Sequence, residues 1–137
     1  MRRVVVIGAG VSGLECARTL RSRGIDATVV DRARGVGGRC ATRRVNGAPM
    51  DHGPVFMHGS APELLATLEQ VAAERVEWPA VVEGSGTPCL PRAFAKGEMR
   101  TAFTAGMTAL PKHLAQGLDV RVNAKVTHVQ AGAMAEA

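Results

Sequence analysis

The chain has 137 residues, enough for one domain with its own core. Apolar residues make up 46% and charged residues 21%, an ordinary globular composition that excludes a disordered tail or a collagen-like repeat. The formal charge of +5 is concentrated before residue 45, where ten arginines face three acidic residues. Aromatic residues are only 3% of the chain, so the stacking platforms of a nucleic-acid-binding protein are missing.

The first 31 residues are predicted to form a strand, a helix and a second strand. Residues Arg3 to Ile7 are a β-branched run that ends at a glycine, which indicates a strand buried on both faces. Apolar and small residues follow helical spacing from Val11 to about Arg23, and Ala27 to Val30 form the second strand. A crossover of this length predicts two parallel strands joined in a right-handed sense.

The rest of the chain carries weaker patterns. Residues 32–47 are rich in Arg and Gly without a helical or strand period, which predicts a loop held by a ligand. The further elements expected, in order, are a helix over Glu63 to about Arg75, short strands over Val76 to Glu83, a loop over Gly84 to Pro91, a strand over Thr101 to Thr104, a helix over Thr108 to Gln116, and strands over Asp119 to Val122 and Val126 to Gln130. Together these elements predict an α/β, Rossmann-like fold with a parallel sheet.

A G-x-G-x-x-G motif comes directly after the first strand and opens the helix: Gly8-Ala9-Gly10-Val11-Ser12-Gly13. The first glycine permits a tight turn, the second lets the backbone approach a pyrophosphate, and the third allows close packing of helix on strand. The helix N-terminus adds N–H groups and a partial positive charge for phosphates. The motif in this position predicts a dinucleotide site.

A carboxylate follows the second strand at the place expected for binding ribose hydroxyls. Seventeen residues separate Asp31 from Gly13, and the charge of Asp31 disfavours a 2′-phosphate, although the neighbouring Arg32 weakens that exclusion. FAD and NAD are therefore both favoured over NADP. The alternative is that Asp31 pairs with Arg32 or Arg34.

A second glycine-rich motif follows: Gly35-Val36-Gly37-Gly38-Arg39-Cys40-Ala41-Thr42, and then Asp51-His52-Gly53. The Arg39 guanidinium is suited to grip pyrophosphate oxygens bidentately. The run Val-Gly-Gly-Arg-x-x-Thr with the later Asp-x-Gly resembles the monoamine oxidase-like flavoproteins, and most closely the renalase-like ones. The resemblance implies an FAD-dependent oxidoreductase whose flavin accepts a hydride from a dihydronicotinamide nucleotide or an amine and passes the electrons to oxygen.

The resemblance also implies positions for the cofactor. Ser12, Asp31, Arg32 and Arg39 are expected at the nucleotide half, the segment from Gly53 to Phe56 beside the flavin, and the Val126 backbone at the adenine. Val55 stands where renalase-like proteins tend to have Gln, which it cannot replace as a donor. The full expected cofactor-binding set is Gly8, Gly10, Val11, Ser12, Gly13, Asp31, Arg32, Gly38, Arg39, Gly53, Val55, Phe56 and Val126. No catalytic residue or metal ligand is assigned.

The domain organisation has two interpretations. Residues 1–137 form one FAD-binding domain, or residues 51–100 begin an inserted substrate-domain segment; the small-residue tail after Gln130 suggests a chain that stops before the substrate domain is complete. A non-catalytic or truncated dinucleotide-binding module is the alternative to an enzyme. The apolar run Val4 to Ile7 is too short to cross a membrane, so a cytoplasmic protein without a membrane partner is expected. The resemblance implies a small-molecule substrate, and the scarcity of aromatic residues disfavours a nucleic-acid partner.

Overall fold

The computed structural model describes residues 3–78 and 99–131 and arranges them as an α/β fold. The elements, in chain order, are β1 (Arg3–Ile7), α1 (Val11–Ser22), β2 (Asp26–Val30), β3 (Thr42–Val45), β4 (Ala48–Asp51), β5 (Met57–His58), α2 (Pro62–Gln70), β6 (Arg75–Glu77), β7 (Arg100–Phe103), α3 (Ala109–Leu114) and β8 (Asp119–Arg121). A single 3₁₀ turn spans Gly38–Cys40. The predicted loop over Gly84 to Pro91, the predicted strand residues from Pro79 to Glu83 and the tail after residue 131 lie outside the described residues.

A parallel sheet in the order β1-β2-β8 organises the fold. Val5 pairs with Thr28, and Val29 pairs with Val120, so two chain segments about ninety residues apart in sequence lie side by side. Helix α1 connects the neighbouring strands β1 and β2. The predicted β-α-β unit and the α/β, Rossmann-like fold class are therefore confirmed.

Only one face of this sheet is covered by the described residues. Leu14 and Ala17 of α1 are fully buried in one cluster with Val29 of β2. On the opposite face, Val5 and Ile7 are each 60% exposed. The prediction that the first strand is buried on both faces is therefore wrong for this part of the chain, because an apolar run in a short strand does not reveal whether one or two layers cover it.

Helix α3 completes the core against α1. Met107, Leu110 and Leu114 are almost fully buried and belong to the same cluster as Leu14. Leu68 of α2 joins them. Burial of aliphatic side chains of this size stabilises a fold by roughly 1.5–3 kcal/mol each. No helix in the described ranges is long and apolar enough to cross a membrane.

The end of the predicted loop over residues 32–47 forms the first strand and the turn of a β-hairpin, whose second strand follows directly. β3 and β4 pair antiparallel with Val45 opposite Ala48, so the connection is the two-residue turn Asn46-Gly47. Both turn residues have positive φ, 50° and 83°, as a type I′ turn requires. The loop prediction is wrong here because arginines and a proline hide the strand pattern, although Asn-Gly is a hairpin signal.

A second correction concerns α2, which ends at Gln70 and not near Arg75. Val71 adopts an extended conformation, with φ −65° and ψ 119°, although its side chain is buried as the helical spacing suggested. The chain then enters β6, where Arg75 pairs with Phe103 of β7. Pairing within the antiparallel sheet β5-β7-β6 therefore overrides the helical pattern.

The last described segment also differs from its prediction. β8 matches the strand expected from Asp119, but no strand forms over Val126 to Gln130. Asn123 turns the chain with φ 55°, and the N–H groups of Asn123 and Ala124 donate to the carbonyl oxygens of Ala33 and Asp31 at 2.8 Å each. These bonds hold the segment against the loop after β2 instead of along a strand edge.

Candidate dinucleotide site

The N-terminus of α1 lies at the carboxyl end of β1 and is not capped by a side chain. Its first intrahelical bond runs from Leu14 N–H to the Gly10 carbonyl oxygen at 3.0 Å. The N–H groups of Val11, Ser12 and Gly13 precede that bond, and the first turn contains no acidic residue. The helix end is therefore electropositive and suited to an anion.

Two glycines of the first motif have different structural roles. A Cβ built on Gly13 would overlap the carbonyl oxygen of Gly8, so close packing of α1 on the end of β1 requires glycine there. A Cβ on Gly10 would meet no heavy atom within 4 Å, and Gly10 has the ordinary extended values φ −78° and ψ 175°. The protein itself therefore does not require glycine at Gly10, whereas a ligand approaching the backbone there would.

Asp31 connects the loop that follows β1 with the loop that follows β2. Its Oδ2 accepts the Ala9 N–H at 2.6 Å, and its Oδ1 accepts the Ala33 N–H at 2.7 Å. Both oxygens are thus bound by backbone groups and not by the neighbouring arginines, and each keeps a second lone pair for another donor. This backbone role was not foreseen from the sequence; binding of ribose by Asp31 stays a prediction.

A first cavity of about 290 Å³ opens beside Asp31. It is lined by Ile7, Gly8, Val30, Asp31, Arg32, Ala124, Lys125 and Val126. Four expected cofactor residues, Gly8, Asp31, Arg32 and Val126, are therefore brought together there. Val126 reaches the cavity because the Asn123 turn directs its segment toward the loop after β2.

A second cavity of about 430 Å³ lies at the α1 N-terminus. It is lined by Ile7, Gly8, Gly10, Val11, Ser12, Gly13, Gly37, Arg39, Cys40, Pro54 and Met57. Ile7 and Gly8 line both cavities, so the two cavities are adjacent at the carboxyl ends of β1 and β2, and together they are called the groove. In open α/β sheets, this edge is where ligands bind.

Four of the expected residues lie beside this groove without lining either cavity. Gly38 packs against Gly10, whose Cα is 3.4 Å from the position of a Cβ on Gly38. A Cβ on Gly53 would overlap the carbonyl oxygen of Arg39, so the backbones of the two motifs touch. Val55 and Phe56 are half-buried, and the Phe56 ring centre lies 6.0 Å from that of His58. Within this segment, the groove is lined by the neighbours of these two residues, Pro54 and Met57.

Sequence reasoning missed Ile7, Gly37, Cys40 and Met57 as lining residues, and it placed Pro54 only within the segment from Gly53 to Phe56. Their positions in the sequence could have identified them, because each is the immediate neighbour of an expected cofactor-binding residue. Cys40 is 6% exposed, and burial raises the pKa of its thiol against the opposing effect of Arg39. Cys40 therefore contributes a neutral thiol to the groove at neutral pH.

Comparison with known proteins supports a dinucleotide fold. Residues 6–71 match the model of the NAD(P)-binding Rossmann-like domain. The chain is 52% identical over 52 residues to hydroxyneurosporene desaturase of Rubrivivax gelatinosus, covering 38% of this chain and 10% of that protein. It is 43% identical over 63 residues to a putative flavin-containing monoamine oxidase of Mycobacterium tuberculosis, covering 46% of this chain and 14% of that protein.

A solved structure gives a similar comparison. Putrescine oxidase bound to putrescine is 32% identical with a TM-score of 0.49, and the match covers 56% of this chain and 17% of that one. The matched stretch is thus a small part of each relative's length. Over residues 6–71 the chain matches the NAD(P)-binding Rossmann-like domain, which agrees with its α/β fold, and it is similar in sequence to oxidases and desaturases.

Proposed function

We propose that this chain holds FAD as part of an FAD-dependent oxidoreductase of the amine oxidase and desaturase type. The observation that carries the proposal is the groove formed by the two adjacent cavities at the ends of β1 and β2. It combines a carboxylate at Asp31, the uncapped N-terminus of α1 and an exposed guanidinium at Arg39. These three groups are complementary to a ribose and a pyrophosphate.

The residues of the groove fit a dinucleotide in detail. The N–H groups of Val11 and Ser12 and the guanidinium of Arg39 would bind the pyrophosphate. Asp31 would accept the ribose hydroxyls with its remaining lone pairs, and the first cavity beside Val126 would take the adenine. The open space at Gly10 leaves room for phosphate oxygens to approach the backbone.

FAD is favoured over NAD by the side of the groove that faces the N-terminus of α1. The Gly-Gly-Arg turn and the segment from Gly53 to Met57 extend the second cavity beyond the helix N-terminus. A putative flavin-containing monoamine oxidase is also among the proteins similar in sequence to the chain. When bound, FAD supplies the acceptor for a hydride from an organic substrate.

The substrate belongs to the finer part of this proposal. The Val-Gly-Gly-Arg-x-x-Thr and Asp-x-Gly segments support a renalase-like enzyme that oxidises a dihydronicotinamide nucleotide and passes the electrons to oxygen. Sequence similarity to a putative flavin-containing monoamine oxidase and to a putrescine oxidase supports an amine as the substrate instead. Measuring flavin bleaching under anaerobic conditions with each donor, in the purified FAD-loaded protein, would separate the two.

A non-catalytic dinucleotide-binding module is the second candidate. It is favoured by the composition of the groove: within the described residues its charged side chains are Asp31, Arg32, Arg39 and Lys125, all suited to holding a nucleotide. This candidate shares the FAD site and differs in turnover. Retained flavin that no donor reduces would support it over the oxidoreductase.

The FAD site is tested by one substitution and a matched control. Arg39→Ala removes the guanidinium from the groove, whereas Arg43→Ala removes an exposed guanidinium from β3 that lines neither cavity. Because hydrogen bonds to charged groups are worth about 1.5–3 kcal/mol, we expect Arg39→Ala to weaken FAD binding roughly 10- to 100-fold. Arg43→Ala should bind like the unmodified chain. Flavin fluorescence titration measures both, and binding of NAD without binding of FAD would refute the assignment.

A further inference from the structure

Thr42 and Asp51 face each other at the open end of the β3-β4 hairpin. They are cross-strand partners, and the Thr42 hydroxyl donates to Asp51 Oδ1 at 2.5 Å in a partly buried setting. The hairpin turn at Asn46-Gly47 is exposed, so this pair is the end of the hairpin that touches the rest of the molecule.

The same two oxygen atoms also bind the backbone that leads into α3. Asp51 Oδ1 accepts the Met107 N–H at 2.9 Å, and Thr42 Oγ1 accepts the Thr108 N–H at 3.0 Å. Met107 is fully buried in the core. The pair therefore fixes the base of the hairpin to a rigid part of the fold that lies more than fifty residues away in sequence.

Each strand of the hairpin continues directly into one wall of the groove. Thr42 follows the 3₁₀ turn that carries Arg39, and Asp51 precedes the segment that carries Gly53 and Pro54. These walls touch where a Cβ on Gly53 would overlap the Arg39 carbonyl oxygen. Any change in the spacing of the hairpin base therefore moves the two walls relative to each other.

We infer that Thr42 and Asp51 are positioning residues for the flavin-side half of the groove. They touch no part of the cavity themselves; they hold Arg39 and Pro54 at the separation that the cofactor needs. This inference rests on the proposed binding of FAD. A purely structural role would lower the affinity for FAD and AMP alike, whereas this inference predicts a loss of ligand affinity confined to the flavin-side half of the groove.

The test compares two ligands in three variants of Thr42 and Asp51. Thr42→Val keeps the β-branched shape but removes the hydroxyl, Thr42→Ser keeps the hydroxyl, and Asp51→Asn keeps an acceptor oxygen but removes the charge. FAD reports on the whole groove, and AMP reports on the cavity beside Asp31. Thr28→Val is the control, since it removes another Thr–Asp hydrogen bond, to Asp119, outside the groove.

We expect Thr42→Val to weaken FAD binding about tenfold or more, because a hydrogen bond to a carboxylate is lost, while AMP binding changes less than about twofold. The visible absorption band of bound flavin should shift as its surroundings loosen. Thr42→Ser should restore both properties, and Asp51→Asn should be intermediate. Thr28→Val should leave both ligands unaffected.

Each other outcome counts against the inference. Unchanged FAD affinity in Thr42→Val, or parallel losses of FAD and AMP affinity with a lower unfolding midpoint, would overturn it in favour of a structural tie. Should Thr42→Val fail to fold, the FAD-to-AMP affinity ratio in Asp51→Asn decides in the same way. Failure of the unmodified chain to bind FAD overturns the proposed function and this inference together. If the unmodified chain binds FAD but the variants lose FAD and AMP affinity equally, only the inference is overturned.

Discussion

Alanine substitutions at Gly10 and Gly13 separate the demands of the fold from those of the ligand. The two glycines belong to one motif and lie three residues apart, at the cap and in the first turn of α1. Only the Gly13 position is enclosed by protein atoms. We therefore expect Gly13→Ala to destabilise the fold, and Gly10→Ala to weaken FAD binding with little effect on stability.

The cost at Gly13 follows from its backbone neighbour. A Cβ there would overlap the Gly8 carbonyl oxygen and lie 3.2 Å from the carbonyl carbon. Gly8 has little freedom to move, because its N–H donates to the Val30 carbonyl at 2.8 Å. Overpacking costs about 1–3 kcal/mol, and the better helix propensity of alanine returns about 1 kcal/mol. Since the obstacle is backbone, we expect a net loss of about 2 kcal/mol in the free energy of unfolding.

The cost at Gly10 has a different origin. Alanine is a poorer N-cap than glycine, so Gly10→Ala should cost less than about 1 kcal/mol in the free energy of unfolding. Its methyl group would point into the groove and hold phosphate oxygens away from the helix N–H groups. The loss of one such charge-assisted bond, about 1.5–3 kcal/mol, corresponds to a roughly 10- to 100-fold higher Kd for FAD.

Urea unfolding without ligand and FAD titration of the folded chain measure the two effects separately. Gly35→Ala is the control, because Gly35 is exposed, has no heavy atom near its Cβ position and lines neither cavity. It should match the unmodified chain in FAD affinity. If Gly10→Ala binds FAD normally, or loses as much stability as Gly13→Ala, the assignment of the groove to a pyrophosphate is wrong.

Two further predictions concern thiol reactivity and pH. Burial raises the pKa of Cys40, so iodoacetamide at neutral pH should modify exposed Cys16 well before Cys40, as followed by peptide mass mapping; equal rates would contradict the buried, neutral thiol. Hydrogen bonds from Arg121 and Thr28 lower the pKa of Asp119 in the folded protein. The ionised carboxylate therefore stabilises the fold above its unfolded pKa, and this stabilisation is lost as the pH falls below about 4. The urea midpoint should therefore fall less between pH 5 and pH 3 in Asp119→Asn than in the unmodified chain, and an identical fall would exclude this contribution.

The sequence predicts the nucleotide end of the molecule well because its signals are local. The turn at Gly8, the helix from Val11 and the strand that ends before Asp31 each depend on residues within a few positions of one another. The hairpin between Thr42 and Asp51 was also local, with Asn46-Gly47 at its turn, but the arginines on β3 pointed to a loop. A turn signal outweighs composition in such a segment.

Long-range contacts could not be predicted in the same way. The bond from Met107 to Asp51 joins residues 56 apart, and nothing in the pattern around Asp51 indicates that partner. The same holds for Val126, whose alternating neighbours predicted a strand. Its segment is instead held by backbone bonds to the loop after β2, next to the pairing of β8 with β2. Such features follow from topology and not from local propensity.

The charge of the chain also acquires a different meaning in the structure. Arg32 and Arg39 line the groove, whereas Arg18 and Arg21 line a separate depression with Gln116 and Gly117. The concentration of arginine before residue 45 therefore does not itself form the anion site. In the proposed site, a pyrophosphate would be bound by the N–H groups at the start of α1, with Arg39 as a side-chain partner. Because backbone direction is set by the strand-turn-helix geometry, the glycine motif locates the site, and the charge balance of the chain does not.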